Sequence, residues 1–578
     1  ISLKGQWVEV DGEKLQQTLK HWKKVEAESA DGELSFIQGM RLLAGTDHNL
    51  TTGGALLDTH RQWAGIKAGK WLADVLIILR NPSRMKELKP SRQFQGKLRN
   101  YQEIGANWLY FLVNLGLGAC LADDMGLGKT VQVIYLLLLL KKAGKRKGTP
   151  SLLILPASLL ANWKAELTRF APTLDPFFLH PSQLKNSKTK ASPAAFKRRV
   201  LKSDLVVTTY GMLTRMDWLA EITWHPVILD EAQAIKNAGT RQAAAVKKIR
   251  AESRIALTGT PVENRASDLW SLFDFLCPGL LGTHSKFRNF IKSLEKKNGD
   301  FSSFGRLVKP YILRRMKTDK SIIADLPEKI EMKVFCSLAK KQAELYISAV
   351  RELENSLDTA AGIKRKGLVL AFLMKFKQIC NHPSQLTGDG VFNPLDSGKY
   401  TRLLEICTEI SARQEKLLLF TQFREMTGPL CAYLADVFQR PGLVLHGGTP
   451  VKQRKKLIDE FQNEEGPPFF ILSLKAGGLG LNLTAASHVI HFDRWWNPAV
   501  ENQATDRAFR IGQKKKVLVH KFICQGTVEE RIDALIEEKI NLAHVIIDTK
   551  CETLITEMSD KELIKLVALD IEKAEMME

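Results

Sequence analysis

The chain has 578 residues and a formal net charge of +21, a length that excludes a single core and points to roughly three to five domain-sized units. A hydrophobic content of 44% with 25% charged residues excludes a disordered or fibrous chain. The excess of Lys and Arg favours a polyanionic partner, nucleic acid ahead of an anionic membrane surface.

In chain order, residues 1–95 read as an N-terminal accessory region, with LKGQWVEV as a strand and GEKLQQTLKHWKKVEAE as a helix. The chain begins at Ile1 rather than Met, which points to a missing upstream piece. Two stretches then alternate short apolar runs with helical, charged segments. In the first, LLILP, DLVVTTY, PVILDEA and RIALTGT read as buried strands. In the second, KLLLFTQF, GLVLHGG, PFFILSL, HVIHFD and VLVHKFI do the same. Uninterrupted Val/Ile/Leu runs separated by helices are what a parallel sheet covered on both faces requires. The expected fold is therefore α/β, with functional loops at the carboxyl ends of the strands. Between the two stretches, 262–400 holds few strand-like runs and reads as helical insertions and a connector. Near the end, Ser559 and Glu562 are spaced as a capping box before an apolar helix.

The eight cysteines form no CxxC pair, which argues against a disulfide framework or a structural zinc and suits a reducing compartment. Cys380 and His382 lack a second pair of ligands and read as packing residues. The longest apolar run, VQVIYLLLLL, is far shorter than the ~20 residues of a membrane-spanning helix.

Three motifs carry chemistry. LADDMGLGKT (121–130) follows a strand-like run and opens a long helix, the placement of a phosphate-binding loop. Gly126 and Gly128 allow close backbone approach, Lys129 reaches the β- and γ-phosphates, and the Thr130 hydroxyl ligates Mg²⁺. Asp123 stands where the usual motif has its first Gly. Downstream, Asp230 of DEA ends an apolar strand, where a second Mg²⁺ ligand, a carboxylate, belongs, and Glu231 is placed to orient and deprotonate a water. Alone, such a pair would be a solvated strand end; a GKT upstream makes the catalytic reading the better one. Third, Arg507 and Arg510 of ENQATDRAFRIGQ are three apart and share a face if that segment is helical. Arginines there suit the charge developing in phosphoryl transfer, although taken alone they are better explained as surface partners of Asp506 and Glu501. A phosphate loop in one domain and arginines in another suggest a site completed when domains close, the logic of a motor.

Together these residues resemble, in order, the motifs of the Snf2 (SWI2/SNF2) family within helicase superfamily 2. LRNYQEIGANWL resembles the adenine-reading segment, with Gln102 in the glutamine role. LADDMGLGKT is similar to that family's phosphate loop, in which an acidic or polar residue commonly replaces the first Gly. LDEAQAIKN resembles the Mg²⁺ motif and LTGTPVENR the coupling motif, while LRRMKTD and QICNHP resemble signatures of Snf2 proteins in particular. Gln233, where eukaryotic remodelers usually carry His, looks more bacterial or archaeal, as does the KGQWVEV opening.

The resemblance covers roughly 96–545 and implies two RecA-like parallel-sheet lobes with Snf2-type helical insertions. Its expected boundaries are 1–95 accessory, 96–325 lobe 1 with an insertion at about 265–310, 326–398 helical connector, 399–545 lobe 2 and 546–578 helical tail. The implied cofactors are ATP and Mg²⁺. The implied nucleotide-binding set is Gln102, Asp123, Asp124, Met125, Gly126, Leu127, Gly128, Lys129, Thr130 and Gly480. The catalytic set is Lys129, Asp230, Glu231, Gln233, Arg507 and Arg510, with Thr130 and Asp230 on the metal. DNA contacts, mostly to phosphates, are implied at Ser158, Asn162, Thr208, Thr209, Gln422, Lys475, Gly477, Gly478 and Trp496, with Trp495 kept in the core. The hydroxyls have capping roles as their alternative, and Trp496 has packing.

The implied activity is that of an ATP-dependent translocase on double-stranded DNA, which remodels or displaces bound protein without obligatory strand separation and acts as a monomer. Its expected location is the bacterial cytoplasm with the nucleoid, or the nucleus in a eukaryote. A strand-separating DNA or RNA helicase and a DNA-binding scaffold with a weak ATPase are the alternatives.

Overall fold

The structure, a computed structural model, describes residues 2–3, 6–7, 36–44, 70–85, 93–144, 149–181, 193–259, 266–296, 302–317, 319–320, 322–323, 326–357, 362–474, 481–495, 497–542 and 558–570. The chain divides into two compact units, Ile1–Asp123 with Gly128–Arg315, and Asp124–Leu127 with Met316–Glu578.

In the first unit the apolar runs form a seven-stranded parallel sheet. Its strands are β1 (Ala119–Leu121), β2 (Ser151–Leu155), β3 (Pro176–Phe178), β4 (Leu205–Thr209), β5 (Val227–Leu229), β6 (Arg254–Leu257) and β7 (Ile312–Leu313), in the order β7-β1-β6-β5-β2-β4-β3. Every residue of β1, β2, β4 and β5 is buried, which is why these strands read as continuous apolar runs rather than as alternation. Helices α1 (Asn100–Asn114), α2 (Lys129–Lys142) and α3 (Leu160–Phe170) bury Trp108, Leu109, Val133, Leu136, Trp163 and Leu167 in one core with the strands. Three further helices, Ala266–Leu276, His284–Lys296 and Ser302–Val308, occupy the stretch between β6 and β7.

The second unit holds β8 (Lys329–Cys336), β9 (Leu417–Thr421), β10 (Leu443–Leu445), β11 (Phe469–Ser473), β12 (His488–His491) and β13 (Val517–Cys524), all parallel, in the order β8-β13-β12-β9-β11-β10. Alternate residues feed two cores on opposite faces: Leu417 and Leu419 of β9 with Phe469 and Ile471 of β11 on one, Leu418 and Phe420 with Phe470 and Leu472 on the other. That is the period-2 geometry of a strand. Helices α4 (Gly362–Asn381) and α5 (Pro498–Thr505) belong to this unit.

β8 departs from the helical reading of 262–400. It pairs over eight residues with β13 at the sheet edge, where Ile330, Met332 and Phe335 stay exposed and Val334 and Cys336 turn inward. An edge strand of this kind offers no apolar run, and its charged Lys329, Glu331 and Lys333 lend it a helical look.

The expected capping box is present. Glu562 N donates to Ser559 Oγ (3.4 Å) and Ser559 N to Glu562 Oε2 (2.9 Å) at the start of α6 (Asp560–Val567). Near the start, Ser2–Leu3 and Gln6–Trp7 pair as two short antiparallel strands, while the rest of LKGQWVEV and the helix expected after it lie outside the described residues. No described helix is long and apolar enough to cross a membrane. The seven described cysteines are free thiols.

Candidate nucleotide and DNA site

β1 ends at Leu121 and α2 begins at Lys129, so 122–128 is a loop from the carboxyl end of a central strand to a helix N-terminus. Gly126 (φ +86°) and Gly128 (φ +76°) adopt the left-handed conformation that a side chain disfavours. At Gly128 space is as restrictive as torsion, because a Cβ would lie 2.5 Å from Gln102 Nε2. Gln102 is itself held in α1, its Oε1 accepting from Arg99 N at 3.0 Å. The residue expected to read adenine therefore packs on the phosphate loop. Lys129 donates from Nζ to Asp123 O (2.5 Å), across the loop it closes. Asp123 is fully buried, Asp124, Met125 and Thr130 are half-buried, and Leu127 is buried.

Asp230 follows β5, separated from β1 by β6. Its carboxylate accepts from Trp163 Nε1 (2.7 Å) and from Glu231 N (2.9 Å). Burial pushes the Asp230 carboxyl above the usual carboxylate range, against the opposing pull of the Trp163 indole and the Lys129 charge. Tyr210 Oη donates to Asp230 O at 2.9 Å. Glu231 sits at φ +49°, a costly conformation for a side chain bearing a Cβ, and such strain clusters at functional sites. Gln233 lies half-buried in the following turn, Ala232–Ile235.

The donor set fits a nucleotide with its magnesium. A helix N-terminus with two left-handed glycines presents backbone N–H groups to an anion. Carboxylate and hydroxyl oxygens from Asp230 and Thr130 are the hard ligands that Mg²⁺ prefers, and each Asp230 oxygen keeps a lone pair beyond the hydrogen bond it accepts.

In the second unit the helical spacing expected for Arg507 and Arg510 is not found. α5 stops at Thr505 and Asp506 caps it, so both arginines lie on the turn beyond the helix. Arg507 is buried and Arg510 half-buried. What fixes this turn is Lys317, whose Nζ donates to Asp506 Oδ1 (2.8 Å) and to Phe509 O (2.6 Å). Glu501 does not partner these arginines. It accepts from Arg494 Nε at 3.0 Å, and Arg494 also pairs with Asp533.

The DNA candidates divide. Ser158 sits half-buried in a turn after β2, and Asn162 donates to Glu166 Oε1 at 3.1 Å. For Thr208 the structure overturns the expectation: it is fully buried in β4 and its hydroxyl donates to Leu179 O at 3.1 Å, so its side chain has no surface for a phosphate. Thr209 caps the short helix Tyr210–Leu213, accepting from Met212 N, the alternative role weighed for it. Gln422 follows β9, its backbone N donating to Asp493 Oδ1 (2.8 Å). Its side-chain amide has no hydrogen-bond partner among the described residues at either Oε1 or Nε2. Trp495 packs against the second core. Lys475, Gly477, Gly478, Gly480 and Trp496, with most of LTGTPVENR, lie outside the described residues.

What the two Snf2 signatures do is not legible in their spacing. Arg315 and Lys317 of LRRMKTD are buried polar residues. Asn381 of QICNHP accepts from Lys399 Nζ (3.0 Å) and faces Asp493 Oδ2 (3.5 Å), which ties the end of α4 to the loop carrying Trp495. His382 caps the next helix through Nδ1, accepting from Ser384 N at 3.1 Å. Cys380, Cys524 and Glu529 place their ligand atoms within 4.8 Å of one another. The Glu529 carboxylate, however, already takes Lys399 Nζ and Cys524 N, and burial raises the Cys524 thiol well above its usual range.

Two family models match the chain: the SNF2-related domain over 101–385 and the helicase conserved C-terminal domain over 398–512. YwqA of Bacillus subtilis, a candidate ATP-dependent helicase/translocase by its name, is 42% identical over 98% of this chain. This chain belongs to the Snf2 family. A second Snf2-family relative is the mouse SWI/SNF-related matrix-associated actin-dependent regulator of chromatin subfamily A member 1, 35% identical over 80% of this chain and 44% of its own length. The Sulfolobus solfataricus SWI2/SNF2 ATPase core in complex with dsDNA is 42% identical, with coverage of 84% of this chain and 100% of that one and a TM-score of 0.41. The chain spans 61% of the length of YwqA and 42% of that of an uncharacterized ATP-dependent helicase of Mycoplasma pneumoniae.

Proposed function

We propose that this Snf2-family chain is an ATP-dependent motor on double-stranded DNA that remodels or displaces bound protein without obligatory strand separation. The observation that carries the reading is the phosphate loop. Two left-handed glycines, one seated against Gln102, precede a helix whose first residue is Lys129, with Asp230 at the end of a strand in the same sheet. The net charge of +21 supports a polyanionic track, and membership of the Snf2 family favours duplex DNA as that track.

In this reading Lys129 and the loop N–H groups bind the phosphates, Gln102 reads the base, and Thr130 with Asp230 hold Mg²⁺. Glu231 orients the attacking water with Gln233 beside it, and Arg507 and Arg510 answer the developing charge. Ser158, Asn162, Thr209, Gln422, Lys475, Gly477, Gly478 and Trp496 follow the DNA in this reading. Bacterial relatives favour a place with the nucleoid.

The test is phosphate release with duplex DNA, single-stranded DNA and duplex RNA in parallel, across salt concentrations. Stimulation greatest with duplex DNA and weakening as salt rises supports the reading. Greater stimulation by a single strand or by RNA favours a strand-separating helicase, and no hydrolysis with any of them leaves a scaffold.

A further inference from the structure

Asp123 occupies the position of a glycine and is a fully buried carboxylate at the mouth of an anion site. Such a charge is costly to bury and would oppose a phosphate unless it were neutralised. Arg315 neutralises it. Its Nε donates to Asp123 Oδ1 (2.8 Å), while Nη2 donates both to Asp123 Oδ2 and to Gln132 Oε1 (2.8 Å). Nη1 donates to Tyr101 O, and the guanidinium lies 5.1 Å from the Tyr101 ring centroid. Gln132 closes the network, its Nε2 donating to Asp123 Oδ2 (3.1 Å) and to Gly128 O (3.5 Å). Gly105 leaves the room for it, since a Cβ there would collide with Gln132 Oε1 and come within 2.6 Å of Arg315 Nη2.

One guanidinium thus joins α1, the end of β1, the first turns of α2 and the segment after β7. Both ends of the phosphate loop are gripped: Asp123, whose carbonyl also receives Lys129 Nζ, and Gly128, where α2 starts. We propose, resting on the ATPase reading, that Arg315 is a positioning residue of the nucleotide site, acting through Asp123 and Gln132 to hold the phosphate loop in its binding shape. In this chain Asp123 is then a working replacement for the glycine, and it depends on Arg315.

The test uses the full chain carrying Asp123→Gly, Arg315→Met or Arg315→Lys. Its readouts are affinity for a fluorescent ADP analogue, KM and kcat for ATP with duplex DNA, and the melting curve. Restoring the commoner glycine should weaken nucleotide binding, because Arg315 and Gln132 lose the carboxylate through which they hold the loop. Misplacing the loop should cost kcat/KM about a hundredfold in Asp123→Gly and in Arg315→Met. Arg315→Lys should recover part of the loss, keeping the charge but not the fork that spans three partners. A purely structural role would lower the melting temperature and leave nucleotide affinity and KM unchanged well below the transition. That result overturns the inference, as does tighter nucleotide binding in Asp123→Gly. If Arg315→Met fails to fold, Asp123→Gly and Arg315→Lys carry the test. A wild-type chain that neither binds nor hydrolyses ATP sinks the functional reading itself.

Discussion

Trp163 donates its indole N–H to the Asp230 carboxylate at 2.7 Å, and both groups are buried. The bond holds the carboxylate at the end of β5 and favours its ionised form, while burial pushes the pKa upward. Trp163→Phe keeps most of the packing and deletes the donor. The Asp230 pKa should then rise further, and a carboxylate that must be ionised to hold Mg²⁺ would lose its proton only at higher pH. We therefore expect the acid limb of the ATPase pH profile to move to higher pH and half-saturating Mg²⁺ to increase. Identical profiles for wild type and variant would remove Trp163 from the site.

Lys129→Ala and Arg510→Ala separate binding from hydrolysis. Lys129 lies in the loop and faces the phosphates in our reading, so its loss should weaken ATP binding and turnover together. Arg510 stands on the turn after α5, and its loss should leave ATP affinity nearly unchanged while reducing kcat by about 10³-fold or more. Equilibrium nucleotide titration beside single-turnover hydrolysis distinguishes the two, and normal turnover in Arg510→Ala rules out an arginine-finger role.

Some forces that shape this chain act locally and can be read from neighbours in sequence; others cannot. Val206 and Val207 or Leu418 and Leu419 declare their strands because both faces are buried and nothing polar is tolerated. β8 does not, since an edge strand keeps its charges. Arg507 and Arg510 are spaced for a helix that Asp506 ends, and a boundary is the part of an element that spacing fixes least. Arg315 is more instructive. LRRMKTD is visible as a basic signature, but its partner Asp123 is 192 residues away, and no local pattern encodes such a pairing. Without that partner in view, Asp123 looks like a defect in a motif.

Acid should destabilise the second unit through two histidines. Burial pulls His491 and His520 down to about 4, from an ordinary value near 6.5. A depressed folded-state pKa means that unfolding takes up protons. The contribution is complete above pH ~6.5 and shrinks as pH falls toward 4, with about two protons bound on unfolding across that window. The urea midpoint should fall between these pH values, and His491→Gln with His520→Gln should flatten the decline. An unchanged slope in the double variant would assign the effect to other groups.

Lys399 and Glu529 form an ion pair at 2.8 Å with both side chains fully buried. Lys399 also donates to Asn381 Oδ1 (3.0 Å), and Glu529 accepts from Cys524 N (3.0 Å), so the pair links α4 to the end of β13. Removing one partner strands the other charge away from water, and Lys399→Met should cost about 3–5 kcal/mol by denaturant unfolding. Replacing both, as Lys399→Met with Glu529→Leu, should recover most of that loss, because two apolar groups of similar volume carry no desolvation penalty. The double variant also tests what the pair is for. If it serves only stability, ATP hydrolysis with duplex DNA returns along with the unfolding free energy. If it holds Asn381 against Asp493 and so sets the loop carrying Trp495, stability returns while DNA stimulation stays low. We expect the second outcome, since Asn381 loses its Lys399 partner in either variant.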